Sequence, residues 1–292
     1  MKKNSYRNPV GVSRATGLVL ISPFIVGAFL FIVYPFVSSF ITGFASSRDH
    51  SVLSAFRSML GNDDLGKAIG ITLKYAALLV PMKLIISLLV ALLLNVELKG
   101  IGFFRTVFYI PSILGANLAV IIMWKYLFTT GGLVNQLLGT VGISPVSWYG
   151  DPDSSLFIIV LLRLWEFGST MVIFLAALRD IPKELYDAAK VDGCGNIRAF
   201  FSITLPQLKS VIFLNLILQI IAAMQEFNAP YILTNGGPLS STRTVGMLIY
   251  DEMFRYGDES MANAISWLLF VLIAAVVYVM YKLTAKMREE QR

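Results

Sequence analysis

The sequence predicts an all-α, polytopic membrane protein with six transmembrane helices and a cytoplasmic helical hairpin between the fourth and fifth. Three observations carry that prediction. Of the 292 residues, 56% are hydrophobic and only 14% are charged, whereas soluble domains carry about 25% charged residues. The apolar residues gather into long runs, with a mean hydropathy of +0.71 over the chain. Lysine and arginine, finally, are shared unevenly between alternate connections. The net charge of +6 reflects this last habit, because basic residues collect beside the cytoplasmic ends of spans. Nucleic-acid binding is the weaker explanation.

After Lys2, Lys3, Arg7 and Arg14 the chain carries no charge from Ala15 to Ser47. That run exceeds the roughly 7–15 apolar residues of a signal-peptide core, so residues 16–41 are read as the first span. A helix needs about 20 mostly apolar residues to cross. By that measure 68–95, 104–128, 155–179, 208–232 and 261–284 follow, all within one transmembrane domain over 16–284. Pro81 and Pro111 fall inside spans, where neighbouring helices satisfy the backbone groups they free. Six spans put the termini, 1–15 and 285–292, on one side. With that side cytoplasmic, the inner segments hold 15 lysines and arginines, and the outer ones hold six. Only Lys74, Lys83 and Arg163 stay within spans. The bias predicts a multi-pass protein of the cell (inner or plasma) membrane with both termini in the cytoplasm. The outer connections, 42–67, 129–154 and 233–260, are too short for a separate domain.

Catalytic chemistry finds little to work with. Cys194 is the only cysteine and His50 the only histidine, so no internal disulfide, cysteine metal cluster or histidine triad can form. No metal site and no catalytic residue is expected, and the chain is not read as an enzyme. The stretch GNDDLGKA, Gly61 to Ala68, imitates a phosphate-binding loop but fails on chemistry. Ala68 has no hydroxyl for magnesium, and Asp63 and Asp64 would repel phosphate.

The fourth and fifth spans are joined by residues 180–207, the most polar internal stretch. Asp180 and Pro182 predict a helix start. Leu185, Ala188 and Ala189 share one narrow apolar face. Gly193-Cys194-Gly195 breaks the helix, Ile197, Phe200 and Phe201 repeat the spacing, and Leu205-Pro206 is expected to close the unit. Such a hairpin suits either docking into a cytoplasmic partner or lying on the membrane surface; spacing leaves both open.

At these residues the chain resembles the membrane subunits of binding-protein-dependent ABC importers. Their EAA loop runs Glu-Ala-Ala, three residues, Gly, nine residues, Ile, one residue, Leu-Pro. Asp187, Ala188, Ala189, Gly193, Ile203, Leu205 and Pro206 fill that pattern in register, with Asp187 keeping the charge on a shorter arm. The segment YILTNGGPLSSTRTVGMLIYDEMFRYGDESMANAISWLLF, Tyr231 to Phe270, is similar to the carbohydrate branch, the maltose and glycerol-3-phosphate type. LTNGGP, Leu233 to Pro238, resembles the first of the two permeases in such systems, and SPFIVGAFLFIVYPF, Ser22 to Phe36, extends the likeness toward the N-terminus. The resemblance implies the ABC importer type I permease fold. It also implies a second similar permease, two copies of a cytoplasmic ATPase that bind ATP and magnesium, and an extracytoplasmic solute-binding protein. This chain would hold no cofactor. The EAA residues would dock on an ATPase, and the cargo would be a sugar, an oligosaccharide or another polyol-like solute such as a glycerophosphodiester.

Polar groups at membrane depth are functional candidates. Arg163 and Glu166 are three apart on one helical face and are expected to pair. Glu226, Asn228 and Tyr231, with Phe227 beside them, combine polar groups with flat apolar faces, as sugar recognition requires; they are candidates for the substrate path. Lys83, next to Pro81, is expected to meet a protein-lined cavity, and Lys74 to snorkel outward. An ion-coupled secondary transporter with Glu226 or Glu166 as coupling site is the rival reading. The absence of an internal repeat weighs against it.

Overall fold

The structure, a computed structural model, describes residues 14–44, 59, 61, 63–115 and 117–289. His50 and most of the 42–67 connection lie outside the described residues. Among those described, every regular element is a helix. Helix α1 (Arg14–Ala28) passes through a π turn (Phe29–Val33) into α2 (Tyr34–Phe44), and α3 (Asp63–Leu94) follows. Next come α4 (Ile101–Leu114), α5 (Leu118–Leu127), α6 (Leu133–Thr140), α7 (Pro152–Trp165) and α8 (Gly168–Arg179). The hairpin contributes α9 (Lys183–Val191), α10 (Asn196–Ala199) and α11 (Leu205–Gln207). The chain ends with α12 (Lys209–Met224), α13 (Asn228–Leu233), α14 (Val245–Tyr250) and α15 (Glu259–Glu289).

Four helical stretches are long and apolar enough to cross a membrane, and six if two bent pairs each count as one span. Those pairs lie where single spans are expected at 104–128 and 155–179. Helices α4 and α5 meet at 98°, and α7 and α8 at 44°. Pro111 and Gly115 weaken the first pair, and Asn117 restarts it by accepting a hydrogen bond from Ala119 N at 2.9 Å. The second pair breaks at Glu166 and Phe167, just before Gly168. There, Ser112 Oγ donates to Glu166 O at 3.1 Å and Ser87 Oγ to Phe167 O at 3.2 Å. Hydroxyls from neighbouring spans thus satisfy carbonyls that a bilayer could not.

Helix α3 is the central post. It runs through Pro81 without interruption and lies against α7, α8, α12 and α14. Tyr75 and Leu79 join Ile159, Leu162, Met224 and Ile265 in the larger apolar core. Nearer the hairpin, Ala91 and Leu94 join Phe174, Leu178 and Leu208 in a second. Helix α2 leans on α15 through Phe36 and Phe40, each 4.8 Å from Trp267 by ring centroid. Asn263 Nδ2 also donates to Thr42 Oγ1 at 2.7 Å. Asp63 to Ala68 of the imitation phosphate loop belong to the start of α3, where Asp64 pairs with Arg243 at 3.0 Å.

Candidate functional site: a coupling hairpin and a charged cluster at the helix breaks

In the hairpin, α9 follows Pro182 and ends at Val191. Asp192 N donates to Ala188 O at 3.1 Å and Cys194 N to Ala189 O at 2.8 Å, closing the helix end. Gly193 sits at φ +73° with no atom near the position of an added Cβ, so glycine is needed there for its left-handed backbone rather than for space. Asp187 and Ala188 are exposed and Ala189 is half-buried. Among the described residues, the Asp187 carboxylate pairs with exposed Lys190 at 3.4 Å. Beside it, Val191 is 88% and Ile197 79% exposed, and Phe201 is also exposed.

The second arm differs from expectation. Leu205-Pro206 does not close the hairpin. Asn196–Ala199, a π turn over Phe200–Thr204 and Leu205–Gln207 follow one another without a gap. Leu208, still helical in backbone, donates to Thr204 O at 3.0 Å and leads straight into α12. Proline has no N–H to give, and the π turn absorbs that deficit without ending the helix. Half-buried Leu205 and exposed Pro206 therefore lie on a continuous rod between hairpin tip and span. Two contacts fix the first arm to it. Tyr186 Oη and Thr204 Oγ1 are 2.8 Å apart, and half-buried Ile203 packs with Tyr186 on the lower core. Lys183 also pairs with Glu97 at 2.9 Å in the turn after α3. That hydrogen bond holds the Glu97 carboxyl below its usual range and lifts the Lys183 ammonium above its own.

One span away lies the charged cluster. Arg163 Nη1 donates to Glu166 Oε1 at 2.7 Å. The same guanidinium also forks onto Glu226, with Nε to Oε2 at 2.8 Å and Nη2 to Oε1 at 2.9 Å. Nη1 further donates to Gly115 O at 3.2 Å. Arg163 is 12% and Glu226 9% exposed by side chain. Lys83, on α3, is buried as well. The expected pair is therefore part of a larger cluster that touches three helix breaks at once: Gly115, Glu166 and Gln225–Phe227. Glu226 is committed further, since Ala229 N donates to its Oε1 at 3.1 Å and Thr244 Oγ1 to its carbonyl at 2.8 Å. It backs the candidate path rather than lining it. Lys83 is enclosed by protein, and exposed Lys74 pairs with Asp153 at 3.0 Å.

Beyond Glu226 the break presents Phe227, Asn228 and Tyr231. Asn228 and Gln225 are exposed, and Phe227 and Tyr231 half-exposed with their rings stacked at 5.0 Å. Among the described residues no group of three or more histidine, cysteine, aspartate or glutamate side chains could hold a metal.

The chain is similar to known proteins. The family described as "Binding-protein-dependent transport system inner membrane component" matches residues 75–289. The chain belongs to this family. The permease is 37% identical over 275 residues to the "Probable ABC transporter permease protein YesP" of Bacillus subtilis (strain 168), covering 91% of this chain and 89% of that one. It is 33% identical over 278 residues to the "Trehalose/maltose transport system permease protein MalF" of Thermococcus litoralis, covering 91% and 92%. Among solved structures, a chain of a bacterial ABC transporter involved in the import of the acidic polysaccharide alginate superposes with a TM-score of 0.82. It is 21% identical and covers 92% of this chain and 94% of that one. At that identity the likeness establishes the fold.

Several residues that organise the permease carry no signal in the sequence. Ser87 and Ser112 read as ordinary small span residues, and Gly115 as one glycine among 22. A Cβ on Gly115 would stand 2.2 Å from the Glu166 side chain, so glycine there is what lets Glu166 reach Arg163. The Arg163–Glu226 fork joins residues 63 apart in sequence, a separation with no local period.

Proposed function

We propose that this permease is a membrane-spanning subunit of an ABC importer that moves a sugar or oligosaccharide into the cytoplasm. ATP would be hydrolysed on separate subunits. The observation that carries the reading is the hairpin, whose exposed tip continues as one rod into α12. Exposed Asp187 and Ala188, with Val191, Ile197 and Phe201 around them, suit a contact that buries apolar surface against an ATPase and anchors it by charge. Because the second arm is unbroken, movement of the tip is carried into the bundle. Closure of the ATPase on ATP then biases the spans between two arrangements.

In this reading the permease pairs with a second, similar permease, two copies of the ATPase and an extracytoplasmic solute-binding protein. ATP and magnesium bind the ATPase, this chain supplies no cofactor, and both termini and the hairpin face the cytoplasm. Phe227, Asn228 and Tyr231 line the path. Relatives named for trehalose and maltose, lactose and arabinooligosaccharides support sugar as the cargo. The commitment of both Glu166 and Glu226 to Arg163 supports ATP over an ion gradient as the drive, since a coupling carboxylate has to be released to load its ion.

The test begins with a mild-detergent pull-down from the native membrane. A second permease and a nucleotide-binding ATPase should accompany the chain. In the assembled complex, Asp187→Arg should abolish most ATP-driven uptake while the chain still inserts. Recovery of the chain alone, or uptake unaffected by Asp187→Arg, refutes the assignment. Screening the captured binding protein then separates sugars from other polyol-like solutes.

A further inference from the structure

The aromatic pair at the third break does not end with Tyr231. Tyr250, at the end of α14, brings its ring to 4.9 Å from Phe227 and 5.1 Å from Tyr231. One turn on, Phe254 lies 5.0 Å from Tyr250 and is 73% exposed. The Arg255 guanidinium stands 5.9 Å over the Tyr231 ring. Next to Arg255 opens a cavity of about 290 Å³ lined by Asn235, Gly236, Ser240, Arg243, Asp251 and Arg255, among others. This face does not suit lipid. Exposed Gln225 and Asn228 share its inner end, and an amide finds no hydrogen-bond partner among acyl chains.

The charges around the cavity are paired. Arg243 bridges Asp64 at 3.0 Å and Asp251 at 3.1 Å, and Arg255 meets Asp251 at 3.0 Å. Glu252 and Asp258 lie together beside the cavity, Asp258 N donating to Glu252 O at 2.9 Å, so the described acids in and around the cavity outnumber its two arginines. The two arginines that line the cavity are therefore both paired, and the carboxylates described around it oppose an anion.

We infer that Tyr250 and Phe254 extend Phe227 and Tyr231 into a ladder of aromatic faces that binds successive rings of an uncharged oligosaccharide between this cavity and the helix break. The inference rests on the sugar-import reading and assigns two binding residues and a substrate class to it. A sugar ring has a C–H-bearing face that stacks on an aromatic plane and a rim of hydroxyls that needs polar partners. Phe227, Tyr231 and Tyr250 pack as a triangle with each pair 4.9–5.1 Å apart, and Phe254 continues from Tyr250, so the aromatic patch is longer than one sugar ring and suits a chain of sugars better than a single one. A uronate chain would bring carboxylates toward Asp251, Glu252 and Asp258 while both arginines that line the cavity are already paired.

The test uses the complete importer, with both permeases, ATPase and binding protein, in proteoliposomes. The probes are malto-, arabino-, xylo- and galacto-oligosaccharides together with oligogalacturonates, and uptake is read by mass spectrometry. Wild type should import a neutral oligosaccharide and no oligogalacturonate. Tyr250→Ala and Phe254→Ala should each lower that uptake at subsaturating concentration by roughly tenfold, the loss of about one stacking contact. Tyr250→Phe should restore most of it, which loss of fold would not allow. Unchanged assembly and thermal midpoint in the alanine variants keep the reading on binding. Wild-type uptake in both alanine variants overturns the ladder and leaves sugar import standing. Import of oligogalacturonates alone overturns the uncharged class. If an ATP-hydrolysing complex imports none of these sugars, the sugar-import reading itself falls, and the ladder with it.

Discussion

Arg163 presents its N–H donors in a planar fork, and four hydrogen bonds tie that fork to Gly115, Glu166 and both oxygens of Glu226. Breaking such a buried arrangement from one side leaves carboxylates without a partner, a loss of about 3–5 kcal/mol. Arg163→Met should therefore destabilise the permease on that scale, read as a lowered unfolding midpoint in mild detergent. Arg163→Lys keeps the charge but loses the fork, and should fall between. A wild-type midpoint for Arg163→Met would mean that the cluster does not hold the breaks together. Gly115→Ala tests the same point from the other side. Its Cβ would displace Glu166, an overpacking cost of roughly 1–3 kcal/mol. The Arg163–Glu166 spacing was legible in sequence because a helix brings i and i+3 together; the Glu226 fork was not, because it is made by the packing of two spans.

At the scale of elements, the hairpin and its rod carry the predictions. Gly193 takes a left-handed backbone, which costs a residue with a Cβ about 1–2 kcal/mol. Gly193→Ala should weaken uptake, while Gly193→Asn, better suited to that backbone, should retain more of it. Equal uptake in the two variants would argue against a conformational role for Gly193. Inserting two glycines after Gln207 interrupts the rod without touching the tip. The ATPase should still co-purify, but uptake per ATP hydrolysed should drop sharply. Full coupling in that variant would show that movement reaches the bundle by another route. The Glu97–Lys183 pair has a wide pH window. Its Glu97 contribution is lost only as pH falls through the lowered carboxyl value, and its Lys183 contribution only as pH rises through the raised ammonium value. The tether should stay intact across the neutral range. From sequence, Leu205-Pro206 is expected to close the unit; a π turn over Phe200–Thr204, which local propensity does not announce, carries the helix through it instead.

Across the whole molecule, orientation is the open prediction. Cys194 is the only cysteine and sits in the turn of the hairpin. A membrane-impermeant maleimide should label it in inverted vesicles stripped of ATPase and leave it unlabelled in intact cells. The reverse result would turn the whole topology over, along with the charge argument that predicts it.

The sequence by itself determined that the chain is helical, that it crosses a membrane repeatedly, that a polar hairpin interrupts the spans, and which residues of that hairpin match the family pattern. These properties follow from composition, run length and local spacing, which a single strand of text records. Only the tertiary structure decided that two spans are bent, that the breaks meet at Arg163, that Glu226 is buried against Arg163, and that Tyr250 and Phe254 join Phe227 and Tyr231. Those contacts arise where helices distant in sequence exchange hydrogen bonds and ring faces. Within a bilayer, where a freed carbonyl has no water to turn to, it is the neighbouring span that determines whether a break can stand.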